Sequence, residues 1–281
     1  MPIPSSFEGR LKLPVVAAPM FLVSGPRMLI ENCKNGVVGT LPALNQRSSE
    51  GFEEWLLQIE RELSEFEQQT GNRAAPYGIN LIVHKTNPRV QADLEICAKH
   101  KVPLVITSLG AVKELVDTVH SYGGVVFHDV TNRRHAEKAA EAGVDGLIAV
   151  CGGAGGHAGT TNPFALVQEI RSFFDKTLLL AGCINSGSDV AAALQMGADL
   201  AYMGTRFINT VESEAVPEYK QMINDCGSKD IVHTPAVSGI PASFMRPSME
   251  ANGYAMDKLG QPGEVDYGTK LKPVSDEAKA W

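Results

Sequence analysis

Short apolar runs alternate along the chain with longer stretches in which apolar residues return every third or fourth position. Residues 13–20 (LPVVAAPM) are apolar at consecutive positions, as expected of a strand buried on both faces. Residues 26–34 read as a short helix closed by Asn35-Gly36, and 37–41 as a second strand. Residues 52–69 form a long charged helix with Trp55, Ile59, Leu63 and Phe66 on one face. The pattern then repeats. Strands are predicted at 77–83, 103–108, 125–130, 144–150, 178–181 and 198–203. Helices are predicted from Asn87-Pro88 to 101, then at 111–122, 132–142, 163–174 and 188–196.

Strand–helix alternation implies parallel pairing with right-handed crossovers. Eight such units predict an α/β protein of the closed (β/α)8 TIM-barrel type, with an open doubly wound sheet as the alternative. No residue signature repeats from unit to unit, which argues against a solenoid. Residues 1–225 read as the barrel, with a last helix at 216–226. Residues 226–281 read as an irregular C-terminal extension, rich in Pro, Ser and Met over 231–253. It forms a lobe, a lid or a wrap around the barrel; the sequence leaves these open.

The chemistry concentrates in residues 148–162 (IAVCGGAGGHAGTTN), where a strand empties into a loop with five glycines and one imidazole, His157. Clustered glycine indicates tight bending or close approach of the backbone. Asn162-Pro163 gives a helix cap and a first-turn proline. Histidine titrates nearest neutrality, so His157 is the candidate acid or base; the alternative is an ordinary strand–helix turn with an exposed ring. In a barrel the site lies where strands end. That singles out Ala18, Pro19, Met20, Asn80, Thr107, Ser108, His128, Asp129, Gly153, Gly182, Cys183, Gly204 and Thr205. The turn over 182–187, with Ser186 and Gly187, and the pair Gly204-Thr205 read as a phosphate cradle of backbone amides and hydroxyls.

Several signals are weaker. Gly153, Gly155 and Ala158 match a loose dinucleotide pattern, but no helix opens inside it and no acidic residue ends the next strand. His128 either lines the site or is a satisfied core histidine. His84, His100, His120, His135 and His233 read as structural or exposed. Cys151 and Cys183 read as small buried fillers.

The 281 residues are 44% hydrophobic, enough for one large core, and the net charge is -7. With no basic run, this argues against nucleic acid or an anionic membrane as partner. No apolar stretch approaches the ~20 residues of a membrane span, and residues 1–14 lack the apolar core of a signal peptide. Five scattered cysteines with no C-x-x-C pair, and no H-E-x-x-H, predict neither disulfides nor a metal site and point to a reduced, cytoplasmic setting.

Five motifs, in order, carry a family resemblance: APM, GINL, GGAGGHAG, AGCINSG and MGTRF, spread over residues 14–207. The chain resembles the nitronate monooxygenases, formerly 2-nitropropane dioxygenases. FabK-type enoyl-acyl-carrier-protein reductases and a group of NADH:quinone reductases share the GGHxG and MGTRF motifs. The resemblance implies a barrel with one non-covalent FMN. Ala18, Pro19 and Met20 would pass along the isoalloxazine and Asn80 would contact the flavin, with His128 and Gly153 also among the cofactor-binding residues. Gly182, Ser186, Gly187, Gly204 and Thr205 would hold the phosphate. His157 matches the active-site histidine, as base for a nitroalkane or orienter of a nitronate. The implied reaction consumes O2 and a small-molecule substrate and yields a carbonyl compound and nitrite. Where some members carry a lysine near the flavin, this chain has Asp129. Pro241, Phe244 and Arg246 are expected to shape the substrate pocket. An NAD(P)H-dependent flavin reductase and a non-catalytic phosphate-binding barrel are the alternatives. The oligomeric state, a homodimer included, is left open.

Overall fold

The computed structural model describes residues 2–110, 113–237 and 239–255. Its strands follow the apolar runs: β1 (Val15–Ala17), β2 (Thr40–Pro42), β3 (Gly78–Ile82), β4 (Leu104–Ser108), β5 (Val125–Val130) and β6 (Gly146–Val150). A two-residue strand outside the barrel, β7 (Gly156–His157), comes next, followed by β8 (Thr177–Ala181) and β9 (Leu200–Met203). The eight barrel strands are parallel, in the order β1-β9-β8-β6-β5-β4-β3-β2. A bridge between Val16 and Val38 joins the two ends, with Val38 O accepting from Ala17 N at 2.9 Å. The ring is therefore a (β/α)8 barrel, and the open sheet is excluded.

The crossovers carry α1 (Pro26–Lys34), α2 (Ser49–Thr70), α3 (Val90–Lys99), α4 (Lys113–Ser121), α5 (Arg133–Glu141), α6 (Pro163–Arg171) and α7 (Gly187–Gln195). After the last barrel strand come the short α8 (Thr205–Ile208) and α9 (Pro217–Asp225). Caps explain where several begin. Ser48 accepts from Gly51 N, so α2 starts three residues earlier than the hydrophobic pattern predicts. Asn87 accepts from Arg89 N and donates to Ile82 O, a turn tied to β3, so α3 starts later than predicted.

Two apolar layers result. Between strands and helices lies the larger one. Inside the barrel, Val16, Val38, Leu104, Ile106, Phe127, Ile148, Leu179 and Leu200 fill the interior. The N-terminal segment, for which the sequence predicted no element, closes the amino end. Phe7 is fully buried with its ring 5.9 Å from that of Phe127. Thr177, which opens β8, donates to Pro2 O. Nearby, Arg171 at the end of α6 joins the starts of two strands. Its Nη2 meets Asp199 Oδ2 at 2.5 Å, and its other nitrogens donate to Gly197 O and Lys176 O. Asp199 Oδ2 also accepts from Leu178 N at 2.8 Å.

The described part of the C-terminal extension, to residue 255, folds into regular elements. β10 (Ile231–Thr234) and β11 (Ala242–Met245) form an antiparallel hairpin, β11 also pairs with β7, and α10 (Arg246–Ala251) follows. Ala242, Phe244 and Met249 form its own small core. The polar end of the extension, over 260–281, lies outside the described residues. Among the described residues no helix is long and apolar enough to cross a membrane.

Candidate active site

The carboxyl ends of the barrel strands open into one cavity of about 1630 Å3. The strand ends form its floor and residues 226–254 much of its roof. Ala18, Pro19, Met20, Asn80, His128, Gly153, His157, Gly182, Gly204 and Thr205 all line it.

His157 owes its position to the extension. β7 pairs antiparallel with β11, His157 opposite Ala242 and Gly156 opposite Ser243. Ala158 N donates to Pro241 O at 3.2 Å. The imidazole thus enters from a glycine loop whose far side is clamped by a strand made much later in the chain. Burial lowers its pKa to about 4, so the ring is neutral at neutral pH.

Two turns of the floor interlock. Gly153 has φ +90, and a Cβ there would stand 2.3 Å from Cys183 Sγ. Gly182 has φ +136, and a Cβ would come 3.1 Å from Gly152 O. Cys183 N donates to Gly153 O at 3.2 Å. Only glycine fits this paired turn without strain. Cys183 itself is exposed to the cavity, contrary to the filler reading, because its φ of +54 turns the side chain out of the strand. Cys151 is buried as expected.

Ser186 and Gly187 are the exceptions among the candidate residues: the structure does not bring them to the cavity. Ser186 closes a capping box on α7, its hydroxyl accepting from Asp189 N. Asp189 Oδ2 accepts in return from Asn185 N at 3.0 Å and Ser186 N at 2.9 Å. The amide of Asn185, then the hydroxyl of Ser186, hold the Asp189 carboxyl below its ordinary pKa. The Asp189 carboxylate therefore takes two of the amides that the sequence assigned to phosphate, those of Asn185 and Ser186.

A polar ladder crosses the floor. Asn80 Nδ2 donates to Ser108 Oγ at 2.8 Å, and Ser108 Oγ donates to Asp129 Oδ2 at 2.6 Å. Burial raises the Asp129 pKa to about 6, against the opposing pull of the Ser108 bond. Beside it, Tyr202 is pushed well above its ordinary value, by burial and then by the Asp129 charge. His128 faces Thr107, its Nδ1 2.7 Å from Thr107 Oγ1, and burial, with His135 nearby, lowers it to about 4. It is both a satisfied core histidine and a lining residue.

The model of the nitronate monooxygenase family matches residues 45–255. The chain belongs to the nitronate monooxygenase family. A (3aS,4S,5R,7aS)-5-hydroxy-7a-methyl-1-oxo-octahydro-1H-indene-4-carboxyl-CoA dehydrogenase of Rhodococcus jostii is 28% identical over 228 residues, 81% of this chain and 61% of that relative. The chain thus spans about three-fifths of the length of this curated relative. Among solved structures, nitroalkane oxidase from Streptomyces ansochromogenes superposes with a TM-score of 0.75 at 24% identity, over 86% of this chain and 79% of that one. FabK from Thermotoga maritima gives a TM-score of 0.76 at 23% identity, over 98% and 93%. Both share the barrel fold.

Within this nitronate monooxygenase family member, sequence reasoning missed part of the lining. Tyr202 stands two residues before Gly204 and follows from strand alternation in β9. His135 and His233, read from sequence as structural or exposed, also reach the cavity. So do Tyr219, Ile223, Ile240 and Tyr254 of the roof, beside the expected Pro241 and Phe244; Arg246 does not line it. Roof contacts depend on long-range pairing, which no local pattern encodes.

Proposed function

We propose that the chain is an FMN-dependent oxidoreductase that oxidises alkyl nitronates with O2 to a carbonyl compound and nitrite. The observation that carries this reading is that the His157 loop and the turns at Gly182 and Gly204-Thr205 line one cavity. The residues fit a flavin. Gly153, Gly182 and Gly204 line the cavity without side chains of their own, so a ligand can approach backbone there. The cavity also exceeds the ~300–1,000 Å3 common for one small ligand, which leaves room for a cofactor and a substrate together.

Gly182 and Gly204-Thr205 would hold the phosphate, and Ala18, Pro19, Met20 and Asn80 the ring. FMN, when bound, supplies the electron acceptor that amino-acid side chains do not provide. His157, neutral at neutral pH, takes the α-proton of a neutral nitroalkane. Toward a preformed nitronate it donates one N–H to a nitro oxygen. The covering lobe keeps water from the reacting atoms.

Anaerobic addition of ethylnitronate or propionate-3-nitronate to the yellow protein is expected to bleach the flavin absorbance within the mixing experiment. An unchanged spectrum removes the reading. A reductase acting on a bulkier thioester or quinone is the second reading. It is favoured by the apolar roof of Ile223, Ile240, Phe244 and Tyr254 and by the thioester named for the Rhodococcus relative. Rapid bleaching by NADH with no response to nitronates selects it.

Gly182→Ala tests the cradle. Forcing an alanine to φ +136 costs about 1–3 kcal/mol and pushes on Gly152 O. If that strain is relieved by opening the turn, FMN affinity falls by roughly tenfold or more. Equilibrium ultrafiltration against FMN reads the change; an unaltered Kd dissociates this turn from the cofactor.

A further inference from the structure

Among the described residues lining the cavity, Asp129 Oδ1 is the buried side-chain oxygen with no hydrogen-bond partner. The other carboxyl oxygen is fixed by Ser108, and Ser108 by Asn80, so the ladder holds the group in one orientation. A charge on this carboxyl therefore has one hydrogen bond and little water. The residue lines the cavity, and Oδ1 itself is already out of contact with solvent, so the nearest water is that filling the cavity.

We propose that filling the cavity with flavin protonates Asp129, so that cofactor binding takes up one proton at this carboxyl. The inference rests on the flavin reading above.

The groups facing Asp129 give no substitute for water. Ser108 on β4 and Asn80 on β3 are uncharged. Tyr202 on β9 stays a neutral phenol. His128, next to Asp129 on β5, turns to Thr107 and is neutral. His157 on the roof is neutral as well. His135 and Lys138 on α5 and His233 on β10 line the same cavity. None of them is within ion-pair distance of Asp129 in the described residues, where its recorded influences are burial and Ser108. Flavin in the cavity would displace the water nearest the carboxyl and bring no positive charge to it. Burial of an unpaired charge is then relieved by neutralisation.

The sign follows. The free protein already holds this carboxyl at about 6, and covering it raises the value further. Between the two values the flavin-bound form holds more protons than the free form. Affinity is highest below about pH 6 and falls as pH rises, by up to ~tenfold per unit within that window.

The test equilibrates the full-length protein, wild type and Asp129→Asn, with FMN from pH 5.5 to 8.5 and measures Kd by ultrafiltration. The phosphate of FMN titrates in the same range, but identically for both proteins, so it cancels in the ratio of the two Kd values. The wild-type Kd relative to Asp129→Asn is expected to rise at least tenfold between pH 6 and pH 8. Calorimetry of the wild type alone, in two buffers of different ionisation enthalpy at pH 7, is expected to show uptake of a proton per FMN and needs no variant. A flat ratio, or no proton uptake with FMN tightly bound, overturns the inference and leaves the flavin reading standing. No FMN binding at any pH overturns both.

Discussion

His157→Ala is expected to lower turnover of a neutral nitroalkane by ~10²–10⁴-fold, the range for loss of a positioned general base, while the protein keeps its flavin. Two observations support this. The ring lines the cavity on a loop clamped by β11. Burial keeps it unprotonated down to about pH 4, so a ring nitrogen is free to accept a proton throughout the neutral range, though as a weak base. With a preformed nitronate the proton has already gone, and the same variant is expected to lose much less. Steady-state rates with both forms of one substrate give the comparison. Equal losses with the two forms would assign the ring to orientation rather than proton removal. Loss of flavin from the variant would make it a structural residue.

Arg171→Met is expected to destabilise the fold by about 3 kcal/mol, the lower end for breaking a buried ion pair. Asp199 is almost wholly buried, whereas Arg171 keeps about a fifth of its side chain in solvent, which tempers the loss. Removing the guanidinium leaves the Asp199 carboxylate with the Leu178 amide as its remaining partner and strips donors from Gly197 O and Lys176 O. At roughly 2–4 °C per kcal/mol for a domain of this class, the thermal midpoint falls by about 6–12 °C. The double variant Arg171→Met, Asp199→Leu is expected to regain most of it, because the stranded charge is gone. A single variant that melts with the parent would show that solvent reaches Asp199 freely.

The barrel was legible because its strands are buried on both faces. Runs such as residues 144–150 carry no polar residue but Asp145 and Gly146, and local turn residues close each helix. Asn162 and Ser186 could be read as caps from position alone, and the structure has both. At the cofactor end the same motif carries two readings. A serine before a glycine at a helix start looks alike whether it awaits a phosphate or serves a capping box. Asp189, three positions on, completes the capping box and takes the amides of Asn185 and Ser186. Cys183 failed for a related reason. An apolar-looking residue beside a strand reads as buried unless its positive φ is known. The roof was illegible in a different sense. Nothing near His157 announces that Ala242 will lie opposite it.

That last pairing carries a consequence for how the protein is made. The ring of strands is complete at Met203, and its closing contact is with residues near the start of the chain. The strand that orients the imidazole is synthesised only afterwards. During translation the cavity floor can therefore assemble around its cofactor while the proton-handling side of the site is still unwritten, and competence arrives as a separate, later event.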